Sequence, residues 1–366
     1  MTAEAVATMA ELAGQVGNSS SLHGSGRRAR RVVEESRERI AAALDAHPTE
    51  VIFTSGGTES DNLAVKGIAW AARSVFPTRT RVVVSAVEHH AVLDPAHWLQ
   101  TTQGFTVEEI PVRGDGTPDV QMPLIGPDVA VASLMWANNE TGTLQPVDML
   151  VRAARESGVR VHTDAVQAIG SVLVSFSGSG VDAMTVSGHK LGGPIGVGAL
   201  LAKRGLPLMD LMHGGAQERS RSGTVNAPAI GAFAVAVEAA VAGQAAFAAR
   251  VGALRDQLES GIRGAVADAR VNGGRDRLPT HSNITFPGCA ADDLLMLLDA
   301  AGVEVSTGSA CTAGVPQPSH VLLAMGASEA DASSSLRFSL GRTTTAEDVT
   351  RAVAAITEAV LRLRSA

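Results

Sequence analysis

Short β-branched runs recur along this chain with helix-spaced segments between them, and that alternation limits the possible folds more than any other feature. Val51 to Thr54, Arg81 to Ser85, Val129 to Met135, Val159 to Thr163, Ala183 to Val186 and Val197 to Ala202 read as strands. Between them, Arg28 to Asp45, Asn62 to Ser74 and Val147 to Ser157 carry apolar residues at helical spacing. Strands that alternate with helices form layered α/β structures around a mostly parallel, buried sheet. From about Asn226 to Val266 the pattern becomes a long Ala-rich helical stretch. Strand candidates (Ser282 to Phe286, Leu336 to Leu340) and helices (Ala291 to Ala300, Ala346 to Leu363) then resume. The 366 residues exceed what one core usually supports. The expectation is therefore a large domain over 15–245 and a smaller C-terminal α/β domain over 246–366, with residues 1–14 packed on the smaller one.

Composition excludes several classes of function. A formal charge of −7 with 18% charged residues gives no general attraction to nucleic acid or to an anionic membrane surface. No apolar run approaches the roughly 20 residues that span a bilayer, and Met1 to Gly14 lacks a signal-peptide pattern, so the expected location is the cytoplasm. The two cysteines, Cys289 and Cys311, make neither a disulfide framework nor a zinc spacing.

The chain has three lysines, Lys66, Lys190 and Lys203, which narrows the search for an amine nucleophile. Lys66 lies in a helical pattern and Lys203 beside Arg204 at a strand end, and both read as solvated charges. Lys190 follows a buried strand through Ser187-Gly188-His189 and precedes the glycine-rich Leu191 to Gly198, where backbone could approach a flat cofactor. Alone, it would be a loop lysine. Asp164 closes a neighbouring strand and could hold a pyridinium nitrogen protonated, or serve as a helix cap. Gln167 could bond a ring phenolic oxygen, or simply face water. Thr54 to Asp61 runs from a strand into a helix expected near Asn62, and its small residues, Gly57 and Thr58 among them, could offer N–H groups to a phosphate or form a capped turn. It is neither a Walker A loop nor GxGxxG, which disfavours ATP and NAD.

His89, in Val87-Glu88-His89-His90, could stack on a ring and shuttle protons. The paired histidines lack the third ligand that a metal site needs. Asn138 to Gly142 offers amides to a ring or a substrate, or makes an Asn/Gly turn. Arg342 ends a strand of the smaller domain, and its guanidinium matches a substrate carboxylate, or a surface ion pair. Cys311 lies in the small-residue run Ser306 to Gly314, an expected loop, which points to a mobile nucleophile. Cys289 lacks that setting and reads as structural.

Ser187-Gly188-His189-Lys190, Gly56-Gly57-Thr58-Glu59-Ser60-Asp61-Asn62, Glu88-His89-His90-Ala91-Val92-Leu93-Asp94 and Ser309-Ala310-Cys311-Thr312 together resemble the NifS/IscS group of cysteine desulfurases, from about Gly17 to the C-terminus. The resemblance implies the fold-type I architecture of pyridoxal 5′-phosphate-dependent transferases, a homodimer, and conversion of L-cysteine to L-alanine with sulfur carried on Cys311 as a persulfide. It makes Lys190 the Schiff-base lysine, Asp164 the partner of the ring nitrogen, Gln167 a contact to the ring oxygen and His89 the stacking acid/base. Thr58, Ser187 and His189 would hold the phosphate, with Thr224 reaching the phosphate of the neighbouring subunit. Asn139 and Arg342 would bind substrate. The long loop around Cys311 resembles members that pass sulfur to iron-sulfur scaffold or tRNA-thiolation proteins. Other activities on the same scaffold are a selenocysteine lyase or an aminotransferase, and a non-enzymatic alternative is an impaired sulfur-assembly subunit.

Two departures accompany the likeness. The chain opens at Met1-Thr2-Ala3-Glu4-Ala5-Val6, where a family segment like Tyr-Leu-Asp-x-x-Ala-Thr-Thr-Pro would have ended. The run Glu218 to Thr224 is one residue shorter than the usual form, which would shift Thr224.

Overall fold

The computed structural model describes residues 1–15, 17–119, 125–215, 217–308 and 317–365. In chain order the helices are α1 (Ala3–Ala13), α2 (Gly24–Ala43), α3 (Gly57–Val75), α4 (His90–Gln103), α5 (Val147–Glu156), α6 (Phe176–Ser179), α7 (Ala227–Ala242), α8 (Gln244–Ala265), α9 (Ala291–Ala300), α10 (His320–Ala324), α11 (Glu329–Ala332) and α12 (Ala346–Arg364). The strands are β1 (Val51–Thr54), β2 (Arg81–Ser85), β3 (Thr106–Ile110), β4 (Val129–Ser133), β5 (Arg160–Asp164), β6 (Ala183–Ser187), β7 (Gly198–Ala202), β8 (Arg270–Asn272), β9 (His281–Thr285) and β10 (Ser335–Ser339). Internal contacts divide the chain into two units, the first made of residues up to Ile110, 125–136 and Pro146–Gln244. The second takes Pro111–Asp119, Ala137–Gln145 and the chain from Ala245 onward.

The first unit is built on a seven-stranded sheet in the order β1-β7-β6-β5-β4-β2-β3. The pairs β2–β3, β2–β4, β4–β5 and β5–β6 are parallel, whereas β7 runs antiparallel to both β6 and β1. This is the mixed, mostly parallel sheet expected. Its strands are almost wholly buried because helices cover both faces, which is why they read as continuous apolar runs. The exception is β3, an outermost strand with the sequence Thr-Val-Glu-Glu-Ile and a largely solvated surface, and its two glutamates hid it from an apolar-run search.

One expectation is corrected here. Helix α1 packs on α7, within the first unit, and not on the C-terminal unit. Gly231 of α7 makes the fit, since a side chain there would come within 2.4 Å of Leu12 Cδ1. The stretch Asn226 to Val266, expected as one helical run, is two helices that meet at Gly243.

The second unit holds a three-stranded antiparallel sheet, β10-β9-β8, with α8, α9 and α12 sharing one core around Leu258, Ile284, Leu294, Leu336 and Ile356. Cys289 is buried in that core, as expected of a structural thiol. No single helix among the described residues is long and apolar enough to cross a membrane.

All the parallel strands end on one edge of the large sheet, the usual place for ligands in such folds. β1 ends on that edge too, and Gly198 at the start of β7 sits between Thr54 and Ser187. A methyl group on Gly198 would lie 2.6 Å from Val186 O and 2.8 Å from Gly56 Cα, both backbone atoms that cannot swing aside. Gly198→Ala should therefore cost about 1–3 kcal/mol, the usual cost of overpacking. Urea unfolding of the two proteins measures this directly.

Candidate active site at the strand ends

The turn from β1 into α3 is shaped by glycine. Gly56 has φ 147°, in the region that side chains disfavour, and it caps α3 with no side-chain hydrogen bond to the first turn. The helix begins at Gly57, not near Asn62, so Gly57 and Thr58 are its first residues and their N–H groups lie at its positive end. Gly57 rests close to β6, since a side chain there would meet Val166 at 3.2 Å and Ser187 Cβ at 3.6 Å. Ser187 Oγ lies 2.9 Å from His189 Nδ1. Backbone N–H groups, a hydroxyl and an imidazole thus face one place, a donor set that suits a phosphate.

Lys190 follows on a short 3-10 turn, Gly188–Leu191, and is solvent-facing. Burial, with the Lys190 charge beside it, lowers the His189 pKa and favours a neutral ring. Asp164, at the end of β5, is buried, and its Oδ1 accepts from Val166 N at 2.8 Å. Burial raises its pKa, and the Val166 N–H and the Lys190 charge pull it back. Gln167 sits half-buried on the turn that follows. His89 caps α4, and its Nδ1 accepts from Ala91 N at 3.0 Å, which places the proton of the neutral ring on Nε2. Thr224 is exposed, with Gln217 Nε2 at 3.5 Å from its hydroxyl.

The first unit thus brings Gly57, Thr58, His89, Asp164, Gln167, Ser187, His189 and Lys190 to one edge. Asn139 and Arg342 belong to the second unit. There Asn138 Oδ1 accepts from the N–H groups of Glu140 and Thr141, so the Asn/Gly turn is real, and it presents Asn139. Arg337 donates to the Asn139 carbonyl, and Asn139 Oδ1 is buried without a hydrogen bond among the described residues. Arg342 is exposed, its guanidinium 5.9 Å from the Phe247 ring centre. Cys311 lies outside the described residues. The other two lysines are not simple solvated charges: Lys66 packs over Trp98, and Lys203 donates to Gly180 O.

Beneath Asp164 lies a layer that the sequence reading did not single out. Asp61, Glu88 and His162 are fully buried. Glu88 Oε1 accepts from Met135 N at 2.8 Å and from Ser133 Oγ at 3.4 Å. Ser133 Oγ is 2.9 Å from His162 Nδ1, and His162 Nε2 is 3.0 Å from Thr185 Oγ1 and 3.5 Å from Asp61 Oδ1. Burial pushes His162 down to about 3, and burial with the nearby Asp164 charge pushes Glu88 up to about 8. Asp61 is raised well above the carboxylate range by burial first and then by the Asp164 charge, against a hydrogen bond with Thr185 that pulls it down, with Glu88 adding to the rise. The available signal was period two: His162 is two residues before Asp164 on the same strand, so both point to one face.

The sequence and the fold are shared with known proteins. Residues 2–352 match the aminotransferase class-V family, and the chain belongs to it. An IscS-like cysteine desulfurase of Mycobacterium tuberculosis is 50% identical, over 99% of this chain and 94% of that protein. The cysteine desulfurase NifS of Azotobacter vinelandii is 41% identical, over 96% of this chain and 87% of that protein. A solved NifS-like structure superposes with a TM-score of 0.90 at 34% identity, covering 98% of this chain and 95% of its own. The family depends on pyridoxal phosphate. The residues present fit that group: an uncapped helix start beside Ser187 and His189 for its phosphate, a buried carboxyl for its ring nitrogen, and the Lys190 amine directly after His189.

The layer beneath the site has a consequence for stability. Glu88 binds its proton more tightly folded than unfolded, so its contribution fades as pH rises from about 4.5 towards about 8. Glu88→Gln, which keeps the acceptor for Met135 and Ser133 but cannot ionise, should gain on the parent by about 1 kcal/mol per pH unit across that window. Denaturant unfolding of both at pH 5, 6 and 7 tests the slope.

Proposed function

We propose that this chain is a pyridoxal-phosphate-dependent cysteine desulfurase that converts L-cysteine to L-alanine and takes the sulfur onto Cys311 as a persulfide. The observation that carries the reading is the buried Asp164 carboxyl within reach of the Lys190 charge, on the edge where α3 begins uncapped. The relatives named as cysteine desulfurases support it over nearly the full chain, and none of those described supports a selenocysteine lyase, an aminotransferase or a silent subunit.

When bound, pyridoxal phosphate supplies an electron sink that makes bonds at the substrate Cα easier to break. Gly57, Thr58, Ser187 and His189 would hold the phosphate oxygens, and Thr224 of a second copy would reach the same group, which would require a homodimer. Asp164 would hold the ring nitrogen protonated and Gln167 would bond the ring oxygen. The Lys190 amine would hold the cofactor through its aldehyde carbon, and its Nζ would take up and return the substrate Cα proton. His89 would stack on the ring and exchange a proton at Nε2. Asn139 and Arg342 orient the substrate, the guanidinium taking its carboxylate.

The Cys311 thiolate attacks the substrate sulfur. An S–S bond forms as the substrate Cβ–S bond breaks, so cysteine and thiol become alanine and persulfide with no outside oxidant. The persulfide then passes to an acceptor protein, for iron-sulfur cluster assembly or tRNA thiolation.

Cys311→Ala should keep the cofactor's visible absorbance and lose production of alanine from cysteine; turnover that survives rules out the persulfide route. Lys190→Ala should lose the absorbance of the lysine-bound cofactor. Borohydride reduction followed by peptide mass mapping should place the label on Lys190, and a label elsewhere overturns the assignment.

A further inference from the structure

The run before Thr224 is one residue shorter than the family's usual form, so the place of Thr224 depends on what this chain does with Glu218 to Thr224. Three of those residues are tied to the rest of the first unit. Glu218 is buried, and its two oxygens take the Arg37 guanidinium as a fork, while Oε2 also accepts from Phe53 N at 3.2 Å. Arg37 in turn donates to Val51 O, so this end is fixed to α2 and β1 together. Arg219 donates to the carbonyls of Lys203 and Leu206, just past β7. Arg221 reaches α3: its Nε donates to Glu59 Oε1 at 2.9 Å and its Nη2 to Oε2 at 3.5 Å, with only 17% and 15% of the two side chains exposed. Glu59 stands in the first turn of α3, and its Oε2 also accepts from Ser55 N at 2.7 Å.

Between these anchors the backbone closes a tight turn. Glu218 N donates to Arg221 O at 3.3 Å, and Ser220 takes φ 55°, a conformation that side chains seldom adopt. Gly223 follows at φ 107°, and Asn226 then caps α7 by accepting from Ala229 N. Thr224 thus lies on a short bridge between two fixed points, Arg221 and Asn226. An exposed ion pair contributes little, whereas a forked pair largely out of water fixes geometry. Without that fork the bridge loses its tie to α3, and a hydroxyl that must be ordered on binding gives up affinity.

We propose that Arg221 and Glu59 are a positioning pair, whose fork holds Thr224 at the reach where it meets the cofactor phosphate of a second copy. The helix start that would receive one copy's phosphate thereby also aims the hydroxyl that would serve the other's. The proposal rests on the pyridoxal-phosphate reading and on Thr224 reaching a neighbouring phosphate.

Titration of the cofactor-free protein with pyridoxal phosphate, followed by visible absorbance, tests it through a double-variant cycle. Thr224→Ala should weaken binding about tenfold, the value of one hydrogen bond to a charged group. Arg221→Ala should weaken it by that factor or less, and the two together by no more than Thr224→Ala alone, because Arg221 acts through that hydroxyl. Losses that multiply in the double variant overturn the proposal, since Arg221 would then act in its own right. So does an Arg221→Ala protein that binds as the parent does. A mixed dimer of one Arg221→Ala copy and one Lys190→Ala copy gives a second readout. Its one lysine-bearing site draws Thr224 from the copy with Arg221 intact and should bind as tightly as the parent; a site still weakened overturns the action across the dimer. If Arg221→Ala does not fold, Arg221→Lys, which keeps the cation and loses the fork, enters the same cycle. Thr224→Ala without effect overturns the reading of Thr224 and the positioning role with it, while a parent that takes up no cofactor overturns the functional reading itself and both roles.

Discussion

A carboxylate that leaves water needs something in place of its lost hydration, and at Asp164 the replacements are the Val166 N–H and the Lys190 charge. The site depends on that compensation. Asp164 closes one strand and Lys190 follows the next strand of the sheet, and their attraction needs β5 and β6 parallel and ending on the same edge. The packing of glycines serves the same alignment. Gly198 lets β7 approach the turn at Gly56, and Gly57 lets α3 start against Ser187, so the positive end of the helix reaches the residues beside Lys190. A sheet with looser strand ends would leave an isolated lysine and an isolated aspartate, and each would revert to its ordinary chemistry.

Much of this was legible in the sequence because burial on both sides of a parallel sheet leaves a one-dimensional trace. β1 and β2 have the same bounds in the structure as in the sequence pattern, and Lys190 stood out because it follows such a run. The helix at Gly57 starts earlier than its apolar spacing suggests, since the first turn faces the site and is not marked by hydrophobic residues. β3 escaped because its glutamates lie on an open edge, and β8 because three residues carry no period. Asp61, Glu88 and His162 were missed for a different reason. A charged residue in a sequence is read as facing water, and only the stacking of α3 on β5 and β6 reveals that these three do not. The packing of α1 on α7 was hidden likewise, because small residues such as Gly231 create the groove that receives it.

The buried polar layer also bears on how uniquely the sheet assembles. Ser133 stands beside His162, and Thr185, which pairs with Asp164, reaches His162 diagonally from the next strand; hydrogen bonds join the three. A slip of one residue in β5 would turn His162 and Asp164 to the opposite face and strand every polar group in this row. Apolar strands of valine and alanine tolerate such slips; these do not.

At the outer margin of the same sheet, β3 presents Glu108 and Glu109, tied to Arg81 and His97. Unpaired backbone on a flat strand invites a neighbouring molecule to add its own strand and begin a fibril. A foreign segment arriving here would have to displace the Arg81–Glu108 ion pair and the His97–Glu109 contact and lie against two carboxylates. The feature that concealed β3 from a search for apolar runs therefore also guards the molecule against polymerising through its sheet.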